Sequence, residues 1–142
     1  MDIQYLHHHD LVTQGLLDTL AALRPTNLTV EEAKIKFLET RQKTRPYIYV
    51  ARENEEIIGT ATLLIEGKLI HRGGVVGHIE DVAVHKDHQG KGVGKALLQK
   101  LVEDAKTHFG CYKVILDCTP DLIPFYEKNG FQQVGVCMRM TL

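Results

Sequence analysis

The hydrophobic period changes repeatedly along this chain. Ile3 to Leu6 reads as a short strand. Asp10 can cap a helix whose apolar positions are Leu11, Leu16, Leu17, Leu20 and Leu23, and Arg24-Pro25-Thr26-Asn27 is its stop. Thr29-Val30-Glu31-Glu32 has capping-box spacing, which predicts a second helix from about Val30 to about Thr44. Tyr47 to Arg52 is β-branched and aromatic, Asn54-Glu55-Glu56 is a hairpin turn, and Ile57 to Ile65 is the returning strand. A polar loop, Glu66 to Gly74, carries Gly67, Gly73 and Gly74. Gly77 to Val84 alternates imperfectly between apolar Ile79, Val82 and Val84 and polar His78, Glu80 and Asp81. His85 to Gly90 is a loop. From Gly92 the period lengthens to that of a helix, with Val93, Leu97, Leu98, Leu101, Val102 and Ala105 on one side and an end near Phe109-Gly110. Val114 to Leu116 reads as a buried strand, about Leu122 to Asn129 as a short helix stopped by Gly130, and Phe131 to Met140 as a last strand. The alternation predicts an α/β fold with a mixed sheet.

Composition agrees with one globular domain spanning 1–142: 44% of residues are hydrophobic, 25% charged and 6% aromatic. The net charge of −1, from 17 basic and 18 acidic residues, disfavours nucleic acid as a partner. No apolar run suggests a membrane span, and Met1 to Tyr5 lacks the regions of a signal peptide. Cys111, Cys118 and Cys137 show no C-x-x-C spacing, which predicts reduced thiols and an intracellular, by default cytoplasmic, location. His7-His8-His9 reads as a solvated segment, and His78, His85, His88 and His108 have no metal-ligand spacing, so no metal is expected.

The strongest chemical signal is Gln89-Gly90-Lys91-Gly92-Val93-Gly94-Lys95, placed between a strand and a long helix. Glycines let successive amides converge on one anion, and the helix adds free N–H groups and the positive end of its dipole. The loop fits neither G-x-x-x-x-G-K-[ST], since the spacing is short and Ala96 follows Lys95, nor G-x-G-x-x-G, since position 95 is Lys. What remains, Gln89-x-x-Gly92-x-Gly94, resembles the acyl-CoA pyrophosphate loop of the GNAT N-acetyltransferases. Gly77-His78-Ile79-Glu80-Asp81-Val82-Ala83-Val84, Cys111 to Cys118, Phe125-Tyr126-Glu127-Lys128-Asn129-Gly130-Phe131 and Glu66-x-Lys68-x-Ile70-His71 are similar to the glucosamine 6-phosphate branch of that family. The resemblance runs from about Ile58 to Met140 and implies a mostly antiparallel, twisted central sheet flanked by helices.

Acetyl transfer from a thioester to an amine needs an anchored donor, an oriented carbonyl, a neutral amine and a stabilised leaving thiolate. The resemblance assigns donor anchoring to Gln89, Gly90, Lys91, Gly92, Val93, Gly94 and Lys95, with Val82, Ala83 and Val84 pairing through their backbone with the pantetheine arm and Lys128 nearby. Lys95 also reads as a solvated helix residue. Tyr126 is the candidate donor to the leaving sulfur, because a phenol is protonated at neutral pH. Glu80, Asp81 and Asp117 are acidic residues inside or at the ends of strands, suited to hold an amine and take its proton, and the base among them stays open. Strict alternation places Glu80 and Asp81 on opposite faces. Lys68 and His71 are candidates for the sugar phosphate, and so is Arg139, across a dimer interface implied by the resemblance and by the apolar Val134 to Met140 segment. Acetyl-CoA is the expected donor and the amine of glucosamine 6-phosphate the expected acceptor, in UDP-N-acetylglucosamine biosynthesis. The alternatives are an acetyltransferase for another small amine and a non-catalytic acyl-CoA-binding module.

Overall fold

The computed structural model describes residues 1–6 and 13–142. Five strands form one sheet in the order β1-β2-β3-β4-β5: β1 (Asp2–Tyr5), β2 (Tyr47–Glu53), β3 (Glu56–Gly67), β4 (Val75–Val84) and β5 (Cys111–Ile115). The pairs β1–β2, β2–β3 and β3–β4 are antiparallel and β4–β5 is parallel, so the sheet is mixed and mostly antiparallel as expected. The parallel step requires a crossover, which the long helix α4 (Val93–Thr107) supplies.

Both faces of the sheet are covered. Val93, Leu97, Leu98, Leu101 and Ala105 of α4 pack on Tyr49, Ala51, Ala61, Leu63 and Ile79. On the other face α1 (Gln14–Ala21) and α2 (Val30–Lys43) bring Leu16, Leu17 and Ala33 against Val50 and Ile57. The α2 start is locally encoded: the Thr29 side chain accepts from the Glu32 amide, while the Glu32 carboxylate accepts from the Thr29 amide at 2.8 Å. A polar chain ties α4 to the sheet. An ionised carboxylate only accepts, so the Tyr49 hydroxyl donates to Asp104 Oδ2 (2.9 Å) and accepts from the Tyr5 hydroxyl (2.8 Å), while Lys100 Nζ donates to Asp104 Oδ1 (2.9 Å). Burial, followed by the hydrogen bonds to Tyr5 and Asp104, pushes the Tyr49 phenol far above its ordinary range.

Several expectations are corrected. Helix α1 ends at Ala21, which leaves Leu23 exposed beyond it, and Val102 also turns to solvent because it sits at the margin of the apolar stripe of α4. The Glu66–Gly74 loop is shorter than expected: β3 continues to Gly67, and a single turn, α3 (Ile70–Gly73), follows. Strand β5 starts at Cys111, stops at Ile115 and is only half buried, since it forms the edge of the sheet. Residues 131–142 form no strand. Their alternating pattern is paired with no strand of the sheet, and Val134, Val136, Met138 and Met140 are 84–89% exposed. The Asp10 cap, Leu11 and His7-His8-His9 lie outside the described residues. Among the described residues, no helix is long and apolar enough to cross a membrane.

Candidate active site

The site is built where β4 leaves β5. The last pair of their ladder is His78 with Ile115, yet β4 runs on to Val84. Residues 79–84 therefore keep β3 on one side and present an unpaired backbone edge on the other. A bulge lies within that free stretch. Thr60 pairs with Ala83 and Thr62 with Glu80, so β4 carries one more residue than β3 between the two pairs. Asp81 takes up the excess in the left-handed region, at φ 50°. The bulge breaks the strict alternation that put Glu80 and Asp81 on opposite faces.

The glycine loop follows directly. Gln89 Nε2 donates to the Val84 carbonyl (3.2 Å), fastening the loop to the end of β4. Gly92 is the N-cap of α4 at φ 85° and ψ 2°, a conformation that L side chains disfavour. The first intrahelical bond runs from the Ala96 amide to the Gly92 carbonyl, and no side chain caps the helix. The amides of Val93, Gly94 and Lys95 are thus left without helical acceptors, at the positive end of the dipole. Gly94 is small for a different reason, since a Cβ there would lie 3.3 Å from Phe125 Cζ. Lys91 and Lys95 are exposed.

Helix α5 (Ile123–Lys128) places Tyr126 on the same end of the molecule. Its ring is buried, edge-on to Phe125 and Phe131, while its hydroxyl bonds to no described side chain. Burial first, then the neighbouring Cys118 and Asp117, raises the phenol above its ordinary range and keeps it protonated at neutral pH. Glu80 is raised above the usual carboxylate range by burial, then by the charges of Asp117 and Asp81, against an opposing pull from His78. The three predicted carboxylates therefore share one field, with Glu80 the least exposed of them. Lys128 lies exposed at the end of α5.

Lys68 stands just before α3, a strained turn in which His71 (φ 51°) and Arg72 (φ 58°) are both left-handed. His71 packs on the Tyr112 ring at 4.8 Å between centroids. The Glu66 carboxylate touches Lys68 Nζ and lies 2.7 Å from His78 Nε2. Sequence reading gave Glu66 and His78 no task. The signal available was their spacing of two, Glu66 from Lys68 and His78 from Glu80. Arg139 is not brought to this site within one chain, since it lies on the exposed segment 132–142. Among the described residues no group of three His, Cys, Asp or Glu is placed to hold a metal ion.

Residues 16–131 match the acetyltransferase (GNAT) family. The chain is a GNAT acetyltransferase-family member. Within that family it is 37% identical to a glucosamine 6-phosphate N-acetyltransferase of Trypanosoma brucei brucei, over 100% of this chain and 96% of that protein. It is 48% identical to a probable glucosamine 6-phosphate N-acetyltransferase 2 of Oryza sativa subsp. japonica, over 92% of this chain and 80% of that one. The crystal structure of glucosamine-6-phosphate N-acetyltransferase from Arabidopsis thaliana superposes with a TM-score of 0.86 at 35% identity, covering 99% of this chain and 97% of that one.

Proposed function

We propose that this GNAT protein transfers the acetyl group of acetyl-CoA to the amine of glucosamine 6-phosphate, giving N-acetylglucosamine 6-phosphate and CoA for UDP-N-acetylglucosamine synthesis. The observation that carries the reading is a juxtaposition: a free strand edge and an anion-binding loop lie beside Tyr126 and the carboxylates Glu80, Asp81 and Asp117. The full-length relatives, named for this reaction, supply the substrate.

The residues present suit acetyl-CoA. The free amides of 93–95 and the loop from Gln89 to Gly92 fit its pyrophosphate, and Lys91 and Lys95 add charge from the exposed side. The unpaired backbone of Val82, Ala83 and Val84 fits the amide-bearing pantetheine arm as an added strand. Bound there, acetyl-CoA supplies an acyl group on a thiol leaving group. Backbone N–H groups at the Asp81 bulge orient the acyl oxygen, and Tyr126 donates its hydroxyl proton to the departing sulfur. Lys128 assists donor binding from the end of α5. Glu80, with its raised proton affinity, takes the proton of the attacking amine, while Asp81 and Asp117 hold that amine. Lys68 and His71 bind the sugar phosphate. The exposed segment 132–142 joins a second copy of the chain in a homodimer, and Arg139 reaches the phosphate in the partner's site.

The decisive assay measures CoA release from acetyl-CoA with glucosamine 6-phosphate, glucosamine, a polyamine, an aminoglycoside and a peptide N-terminus as acceptors. The sugar phosphate is expected to have the highest kcat/KM. Equal or better turnover of another amine would reassign the substrate, and no turnover with any acceptor would favour a binding module.

A further inference from the structure

The β3–β4 register places Thr62 opposite Glu80, Leu64 opposite His78 and Glu66 opposite Val76, so Glu66, His78 and Glu80 lie on one face of the sheet. The Glu66 carboxylate uses both oxygens there. One contacts Lys68 Nζ and the other lies 2.7 Å from His78 Nε2. Those two contacts hold its carboxyl below the usual range, and His78 in turn favours the ionised form of Glu80. The turn after Lys68 is closed on this base: the Lys68 amide donates to the Gly74 carbonyl at 2.8 Å, around the left-handed residues His71, Arg72 and Gly73.

We propose that Glu66 is a positioning residue for the sugar phosphate, fixing the Lys68 ammonium and the His78 ring at the base of the 68–74 turn. The inference rests on the assignment of Lys68 to the phosphate. A lysine stem is flexible, and ordering it at the moment of binding weakens binding; a carboxylate that orders it beforehand removes that cost. The ammonium has three donors, and Glu66 leaves the rest of them for phosphate oxygens. Flanked by Lys68 and His78, the carboxylate does not make the mouth of the site anionic.

The test compares Glu66→Ala, Glu66→Gln and Lys68→Ala in steady-state kinetics with glucosamine 6-phosphate and with glucosamine. For Glu66→Ala, KM for the sugar phosphate is expected to rise about 3- to 10-fold, the scale of ordering one long side chain. Its kcat, its KM for acetyl-CoA and its KM for glucosamine should stay within about twofold of the original, below that ordering scale. Glu66→Gln keeps an acceptor for Lys68 and a partner for His78, and should recover most of the loss. If the alanine variant folds poorly, Glu66→Thr, which favours a strand and carries no carboxylate, gives the same readout. Tighter binding of the sugar phosphate by the alanine variant overturns the proposal, as does equal weakening of both acceptors. Lys68→Ala separates the two levels. It should raise KM for the sugar phosphate roughly 10- to 150-fold, the loss of one charge-assisted hydrogen bond. If it leaves that KM unchanged, the phosphate assignment itself fails.

Discussion

Replacing Gly92 by Ala changes one methyl group at a position where space is open and conformation is not. Nothing lies within 4 Å of a Cβ built there, so no steric clash enters. The residue stands at φ 85° and ψ 2°, however, and an L residue is disfavoured in the left-handed region by about 1–2 kcal/mol. That energy has two ways to appear. If the N-terminus of α4 holds the new residue left-handed, folding stability falls by the full amount. For a domain of this size the melting temperature then drops by roughly 2–8 °C. If the loop instead relaxes to negative φ, the melt hardly moves, but the amides of 93–95 leave their common focus. Acetyl-CoA must then restore the strained loop, and its Kd rises about 5- to 30-fold. Calorimetric titration with acetyl-CoA and thermal melts of the same preparations measure both quantities. The two losses should add up to about 1–2 kcal/mol. A variant with wild-type melting temperature and wild-type affinity would refute both the strained cap and its use as an anion site.

Tyr126→Phe keeps the buried ring and removes only the donor, so kcat should fall roughly 10- to 1000-fold in single-turnover measurements, with CoA affinity nearly unchanged; an unchanged chemical step excludes the hydroxyl from the leaving-group role. Glu80 must be ionised to accept a proton and its pKa is raised, so the acid limb of kcat/KM should lie above the ordinary carboxylate value. Asp117→Asn removes a repelling charge, lowers that pKa and should move the limb to lower pH in a pH–rate profile; a limb that stays put places the base elsewhere. Deleting residues 132–142 should convert a dimer into a monomer in sedimentation and abolish turnover of the sugar phosphate, whereas a wild-type chain that sediments only as a monomer at micromolar concentration removes the shared-site reading.

What could be read from the residues was whatever depends on near neighbours. Thr29 and Glu32 announce their helix because both halves of the capping box lie within one turn. The glycine loop is legible for the same reason: Gly92, the strand before it and the apolar stripe after it are contiguous. The Asp81 bulge is not, since it is defined by the number of β3 residues opposite, which Thr60 and Thr62 supply from across the sheet. Nor is the link from Tyr5 through Tyr49 to Asp104, whose members meet only after α4 has crossed over the sheet. The helical period of 93–107 does put Asp104 on the buried side with Leu97 and Leu101 and Glu103 on the opposite side, but it does not name the tyrosine that Asp104 meets. Val134 to Met140 shows the limit from the other side. Alternation records a preference for a strand, but the ladder that makes one must come from another chain segment.

The free edge of β4 carries a consequence for how such a protein would respond to its surroundings. On the proposed reading, the strand edge at 82–84 and the amides at 93–95 grip parts of the donor that survive the reaction intact. Acetyl-CoA and spent CoA differ only at the sulfur, near Tyr126, so most of the grip is common to both. Binding energy shared equally by reactant and product holds the one as firmly as the other. Released CoA would therefore compete with fresh donor for the same groove. The rate would then follow the proportion of acetylated to free CoA rather than the amount of donor alone, making the output of amino sugar a gauge of acetyl supply.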